Sequence, residues 1–539
     1  MEKNKIGFLH DRYAWIILCC SLMVRIYLSS VTYVIQNDSV AFIENAHFFA
    51  RGDFQAGLRH DYHPLYSMMM AGVYKIIPYM ELSGTIISVF LSTVTVLIFY
   101  LIGRGVFNQK ISFVSSLILA FHPYAVRFSA DIISESTYFF FFLAALGSGF
   151  FAIKDGRILL YALTGICSAF AYLARPEGIG IMCIVSGWCL LKGGFRIKVV
   201  WKQKLVEILI LVASFAVFSI PYLVYIKSET GSWHLTKKKS VSKIAGIEKL
   251  IDRQDGERAA EETGGPQTDS GPVHVNQPSD KGASVKAYIG GALYTMEKYI
   301  STFHPFLFAL FLVGMASWCK IGKKGFFGYY VLSIVLFYLF ILLRLNLTHA
   351  VCSGEGVNYP SRRHVMPIII PVLFWVGIGV TAVGTWLYER IQTGKLGVWL
   401  LKRMGKSERR VLLVIVVLAL GVLLPKTLKP QRFDKVGILQ VGKWIRENSE
   451  KAVPVVCSTS ARNAYYAGGR AVQMADIYTA LSLARKENAD YIVLTRKEQE
   501  VLAAELKQSD MKGQTELVYT AHDSDTSNQS VLFLYKVIY

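Results

Sequence analysis

Apolar runs of about twenty residues recur along the chain from residue 14 to residue 425, separated by short polar stretches. A membrane-spanning helix needs roughly 20 such residues. The pattern predicts spans at 14–35, 83–102, 111–129, 137–153, 158–173, 178–191, 205–226, 303–319, 326–345, 365–388 and 410–425. The first run is too long and wrongly flanked for a cleaved signal peptide, so it counts as a span. The fold class this implies is an α-helical multispan membrane protein with about 11 transmembrane helices.

The polar stretches divide into two kinds. "GRGVFNQK", "KDGR", "KGGFRIKVVWKQK", "KIGKKG" and "ERIQTGKLGVWLLKRMGKSERR" are strongly basic. They fall on alternate sides of the predicted spans, as the positive-inside rule requires of cytoplasmic loops. The N-terminus is therefore expected in the cytoplasm of a multi-pass cell-membrane protein, inner or plasma. Residues 36–82, 129–136, 174–177, 227–302 and 346–364, and the tail after about 426, are expected outside. Residues 36–82 form a long first extracytoplasmic loop, predicted to carry helices lying at the membrane surface. Residues 237–285, with "DGERAAEETGGPQTDSGP", are too polar and Gly/Pro-rich to bury a core and read as a flexible loop.

Past the last span the period changes. "VGKWIREN" and "TALSLARKEN" read as helices, as does "KEQEVLAAELKQ", while "VPVVCST", "YIVLT" and "SVLFLYKVIY" read as strands. Alternating helices and strands imply a small soluble α/β domain. The expected organisation is a transmembrane module over 1–430 and an extracytoplasmic α/β domain over 431–539.

Composition agrees with the spans: 53% of the 539 residues are hydrophobic, 18% are charged and the mean hydropathy is +0.38. The net charge of +20 is explained by the basic inner loops, so the expected partners include membrane lipids and not nucleic acid. The eight Cys lie mostly inside apolar runs, where they pack as small hydrophobes.

Ionisable residues at span ends are costly and mark candidate sites. The outer ends collect Asp38 after the first span and "HDYHP" (His60, Asp61, His63) in the first loop. "SADIISES" adds Asp131 and Glu135, "LARPEG" adds Arg175 and Glu177, and "NYPSRRH" adds Arg362, Arg363 and His364. Arginine presents a planar fork suited to phosphate oxygens, and a carboxylate near a hydroxyl can act as general base. Together they suit attack of a hydroxyl on a sugar carbon while a lipid phosphate departs.

Simpler roles exist for each. Asp38 could cap a helix beginning at Ser39. Glu44 and Asp53 read as solvated or structural, His63 as holding a turn, Glu135 as favouring a helix dipole, and Arg175 as snorkelling toward headgroups. "HDYH" without a second cluster is weak as a zinc site, so no metal and no cofactor are expected. The sequon-like "NDS", "NLT" and "NQS" are common by chance. A secondary transporter is the main rival. Transporters, however, place their sites at the midplane in repeated halves, whereas here the charges gather at one face beside a soluble domain.

The order of "ARGDF", "HPLY", "FHPYAVRFSADIISES", "AYLARPEG", "YPSRRHVMPIIIP" and a "YYAGG" turn at 465–469 resembles the GT-C glycosyltransferases. It is most similar to the bacterial protein O-mannosyltransferase type and to the aminoarabinose transferase acting on lipid A. The resemblance implies inverting transfer of a monosaccharide, hexosyl or pentosyl, from a polyprenyl-phosphate donor to a hydroxyl at the outer face. The acceptor would be protein, lipid or glycan. Asp38 matches the family's catalytic acid, and Arg175, Arg362 and Arg363 become donor-phosphate ligands. His60, Asp61, His63, Glu135 and Glu177 are substrate-binding candidates. The chain departs from the family in having Ser39 after Asp38 instead of a paired Asp-Glu, and "HPLY" for "HPPL"; these leave sugar and acceptor open.

Overall fold

The computed structural model describes residues 11–193, 198–237, 285–321, 325–353, 360–393, 407–474, 480–496, 498–501, 515–522 and 531–538. The stretch 238–284 and much of the predicted helix at "KEQEVLAAELKQ" lie outside them.

Every predicted span is a helix. Among the described residues, seven helices are long and apolar enough to cross a membrane. They are α1 (Arg12–Ser30), α5 (Met80–Val106), α8 (Glu135–Asp155), α11 (Lys198–Thr230), α14 (Gly325–Ser353), α15 (Arg362–Thr393) and α16 (Glu408–Thr427). Two helix pairs pass the same test only when taken together, and each is bent. α6 (Gln109–Ala120) meets α7 (Pro123–Ser129) at 56°, and α12 (Val285–Phe303) meets α13 (Pro305–Ile321) at 94°. α9 (Ile158–Ala174) and α10 (Ile179–Gly193) are shorter apolar helices.

Burial ranks the helices. The apolar window of α15 is 89% buried, which makes it the centre of the bundle, whereas α1, α11 and α16, at 28%, 22% and 28%, turn most of their surface to lipid. α13 lies against α15 backbone to backbone: a Cβ on Gly314 would stand 1.8 Å from the Trp375 carbonyl oxygen, and one on Gly379 2.0 Å from that of Leu310. Small residues at helix crossings allow such approach, which is how helices associate where lipid supplies no hydrophobic drive. A cation is buried within the bundle. Arg25 of α1 is buried and donates to Ser92 Oγ (2.7 Å), Ser21 Oγ (2.7 Å) and the Ala120 carbonyl (3.2 Å), pinning α1 to α5 and α6.

Ion pairs mark the two ends of the bundle. At one end Arg104 meets Asp11 at 2.6 Å and Lys110 meets Glu408 at 3.3 Å. At the other end, α1 leads into the first loop, where α2 (Asn37–Ala50), α3 (Phe54–Gly57) and α4 (Leu65–Tyr74) pack on one another and on α5. Asp53 caps α3 by accepting from Ala56 N at 2.9 Å, the structural role read for it.

The tail forms a five-stranded sheet, β1 (Val455–Ser458), β2 (Arg470–Gln473), β3 (Tyr491–Thr495), β4 (Thr515–His522) and β5 (Val531–Val537), in the order β2-β1-β3-β5-β4. β1 is parallel to β2 and β3, while β5 is antiparallel to β3 and β4. α17 (Val436–Asn448) and α18 (Ala461–Ala467) cover it, and α19 (Ala480–Lys486) packs beside β1 and β3. Gly468, at φ 68°, ends α18 in the left-handed conformation that a glycine adopts without strain. β2, β4 and α18 were not among the predicted elements. β2 is four residues long with only Val472 buried, too short for a readable alternation.

Candidate active site

Asp38 lies in the first turn of α2, but Gln36 is the N-cap, so Asp38 is not the helix cap that the sequence allowed. Its carboxylate is instead paired with Arg363 Nη1 at 2.6 Å. The same nitrogen stands 3.7 Å from Glu135 Oε1. Glu135, the first residue of α8 and nearly fully buried, takes Arg175 Nη1 at 2.6 Å, and Arg175 also reaches Glu177 at 3.0 Å. One continuous chain of charges, Asp38–Arg363–Glu135–Arg175–Glu177, thus joins four segments that the sequence keeps far apart.

Local sequence explains the placement. Arg175 is extended (φ −155°, ψ 141°) because Pro176 follows, and this turns the chain from α9 into the short 3-10 turn Pro176–Gly178. At Gly178 a Cβ would stand 2.2 Å from the Tyr172 nitrogen, so the turn lies directly on α9. Arg362 and Arg363 open α15. The Arg362 guanidinium lies over the Tyr124 ring at 5.1 Å, with Lys426 at 4.8 Å from the same ring. Tyr62 is bonded to Asp38; burial, and then that carboxylate, push its hydroxyl far above the usual range, so it stays protonated as a donor.

Beside Asp38 opens a cavity of about 610 Å³, within the range typical of ligand sites. Among the described residues that line it, Asp38 is the one carboxylate, against six cations: Lys298 of α12, Arg362, Arg363, Arg432, Lys435 and Arg462. Arg432 is itself tied to the buried Asp131. Such a surface attracts phosphate.

The first-loop candidates lie elsewhere. His60 pairs with Glu44 at 3.0 Å. His63 is buried between the rings of Tyr172 and Tyr222, each 5.1 Å away. Asp61 stands near Lys237 and Tyr222. None of the three lines the cavity, and neither do Arg175, Glu135 and Glu177. Lys298, Arg432, Lys435 and Arg462 were not singled out in the sequence. Each sits in an ordinary amphipathic or domain context, and only the positive-inside rule, which makes basic residues unusual in outer segments, could have flagged them. Among the described residues no group of three or more His, Cys, Asp or Glu is placed to hold a metal ion.

Residues 61–225 match the family described as dolichyl-phosphate-mannose-protein mannosyltransferase. No curated protein matches the chain. Among solved structures, the fold is similar to ArnT from Cupriavidus metallidurans, in the apo state and bound to undecaprenyl phosphate. Both have 12% identity and a TM-score of 0.56, covering 97% of this chain and 97% and 98% of those chains. It is also similar to an Archaeoglobus fulgidus oligosaccharyltransferase tethered with an acceptor peptide (12% identity, TM-score 0.53, 97% of this chain and 74% of that one). At such identities the likeness establishes the fold. The chain is a multispan membrane protein whose fold is similar to that of ArnT, a GT-C fold, and its residues 61–225 match the protein-mannosyltransferase family model.

Proposed function

We propose that this protein moves a single sugar from a polyprenyl-phosphate carrier to a hydroxyl acceptor at the outer face of the membrane, with inversion. The observation that carries this reading is a cavity in which, among the described lining residues, one carboxylate, Asp38, faces six cations. The acceptor oxygen attacks the anomeric carbon from the side opposite the phosphate. The new C–O bond forms as the bond from that carbon to the phosphate oxygen breaks. The hydroxyl proton passes to Asp38, and the bonding pair leaves with the phosphate, whose charge Arg362 and Arg363 neutralise.

Arg363 gives the site an order of events. Paired with Asp38 at 2.6 Å, it occupies that carboxylate in the absence of donor. An arriving phosphate competes for the guanidinium and frees Asp38 for the acceptor. Arg175, held by two carboxylates, supports the site by holding Glu135 behind Arg363. The cavity lies at the bundle end opposite the basic loops, which is the outer end under the positive-inside rule; the N-terminus would then be cytoplasmic and the sheet domain extracytoplasmic.

The test is release of free polyprenyl phosphate when the purified full-length protein is given polyprenyl-phosphate-linked hexoses and pentoses with candidate acceptors. Substrate flux into proteoliposomes with no release from any donor would replace this reading with transport.

A further inference from the structure

Within the first loop, Tyr62 bonds Asp38 in the first turn of α2. Its N-cap, Gln36, makes no side-chain capping bond, although Asp38 stands only two residues later. The residues that lead into α2 are held from the far end of the chain. Ile35 N–H donates to the Tyr466 hydroxyl at 3.0 Å, and Arg462 Nη1 donates to the Ile35 carbonyl at 3.4 Å. Arg462 Nε also donates to Ser460 Oγ at 2.9 Å, and that hydroxyl donates to Asn37 Oδ1 at 3.2 Å. Arg432 donates to the Val34 carbonyl. Four consecutive residues, 34–37, are thus gripped by, or tied through Asp131 to, residues of the C-terminal part, since Gln36 and Arg432 share the Asp131 carboxylate. Arg462 is 8% exposed, and its Nε and Nη1 donors are committed to Ser460 and to this backbone.

We infer that Tyr466 and Arg462 are positioning residues for Asp38: the C-terminal domain sets the start of α2, and with it the distance of the carboxylate from the cavity. A misplacement of about 1 Å at a reacting group can cost about a hundredfold in rate. The inference rests on the reading of Asp38 as the base, so its test has one arm that does not depend on turnover.

Tyr466→Phe removes only the hydroxyl that Ile35 uses. Tyr465→Phe, on the same helix, removes the hydroxyl bonded at 2.6 Å to Glu81 of α5, away from residues 34–37, and controls for general loosening of the domain. In the full-length protein, amide exchange across 34–40 and release of polyprenyl phosphate from undecaprenyl-phosphate mannose are measured for both. Tyr466→Phe is expected to speed exchange at Ile35 and the first turn of α2 about fivefold or more. It should also lower kcat about tenfold, leaving KM for the lipid donor and the melting temperature unchanged. Arg462→Lys, which keeps the charge but not the fork, should act in the same direction. Tyr465→Phe should leave exchange at 34–40 and kcat as in the wild type. Unchanged exchange in Tyr466→Phe, faster exchange without a fall in kcat, or equal losses in both Tyr variants would overturn the inference. If the wild type releases polyprenyl phosphate from no hexose or pentose donor, the functional reading fails on that arm, while exchange alone still decides whether Tyr466 holds the segment.

Discussion

Replacing Asp38 by Asn separates chemistry from structure at this site. The change keeps the side chain's shape, and because Gln36 and not Asp38 is the N-cap, no cap is removed. What is lost in folding is the charge on one side of the Asp38–Arg363 pair, whose partners are 24% and 31% exposed. Partly exposed pairs contribute about 0–1 kcal/mol, so the melting temperature should hardly move. Catalysis should suffer far more. A positioned general base is worth about a hundred- to ten-thousandfold, equivalent to about 3–5 kcal/mol of barrier at about 1.4 kcal/mol per tenfold. Donor binding should go the other way: with Asp38 neutral, Arg363 is released to the phosphate, and affinity for undecaprenyl phosphate should hold or tighten a few-fold. The assay is release of polyprenyl phosphate under saturating donor, with lipid binding measured separately on the same preparation. A folded Asp38→Asn protein that turns over within a few-fold of wild type would refute the assignment, as would a loss of turnover explained by lost donor binding.

Arg363→Ala should weaken binding of undecaprenyl phosphate by roughly tenfold or more, the cost of about 1.5–3 kcal/mol for one charged hydrogen bond; unchanged affinity and turnover would remove Arg363 from the phosphate site. Arg175→Ala strands Glu135 and Glu177, and breaking a buried pair in this way costs about 3–5 kcal/mol, so a large fall in melting temperature is expected, partly rescued by Lys; a protein as stable as wild type that has lost only donor affinity would instead make Arg175 a phosphate ligand. A membrane-impermeant thiol reagent should label both Asp53→Cys and Glu447→Cys in intact cells above the cysteine background, since both sit at the cavity end of the fold; labelling from opposite sides would show that the span count is wrong.

The sequence by itself determined the membrane architecture, because a bilayer demands continuous apolar helices and those leave an unmistakable period-free run of hydrophobic residues. All eleven predicted runs appear as helices, while among the described residues seven helices, or nine spans if each bent pair counts as one, are long and apolar enough to cross a membrane. Sequence order also singled out Asp38, Glu135, Arg175, Glu177 and Arg363, and the structure joins these five through charge. What it could not assign was partnership. That Arg175 is spent on two carboxylates while Arg362 faces a cavity over Tyr124 depends on which helix ends meet, and nothing in "ARPEG" or "PSRRH" encodes the neighbour. Arg25 is the clearest case: one cation within an apolar run, its buried site built from Ser92 and Ala120, residues 67 and 95 positions away. The same holds for Lys298, Arg432, Lys435 and Arg462, whose common cavity exists only once the tail folds back onto the first loop. Hydropathy is a property of each segment and is read one segment at a time, whereas a charge's role is set by the dielectric and the partners around it; for this protein those come from segments hundreds of residues apart, and tertiary packing alone decided them.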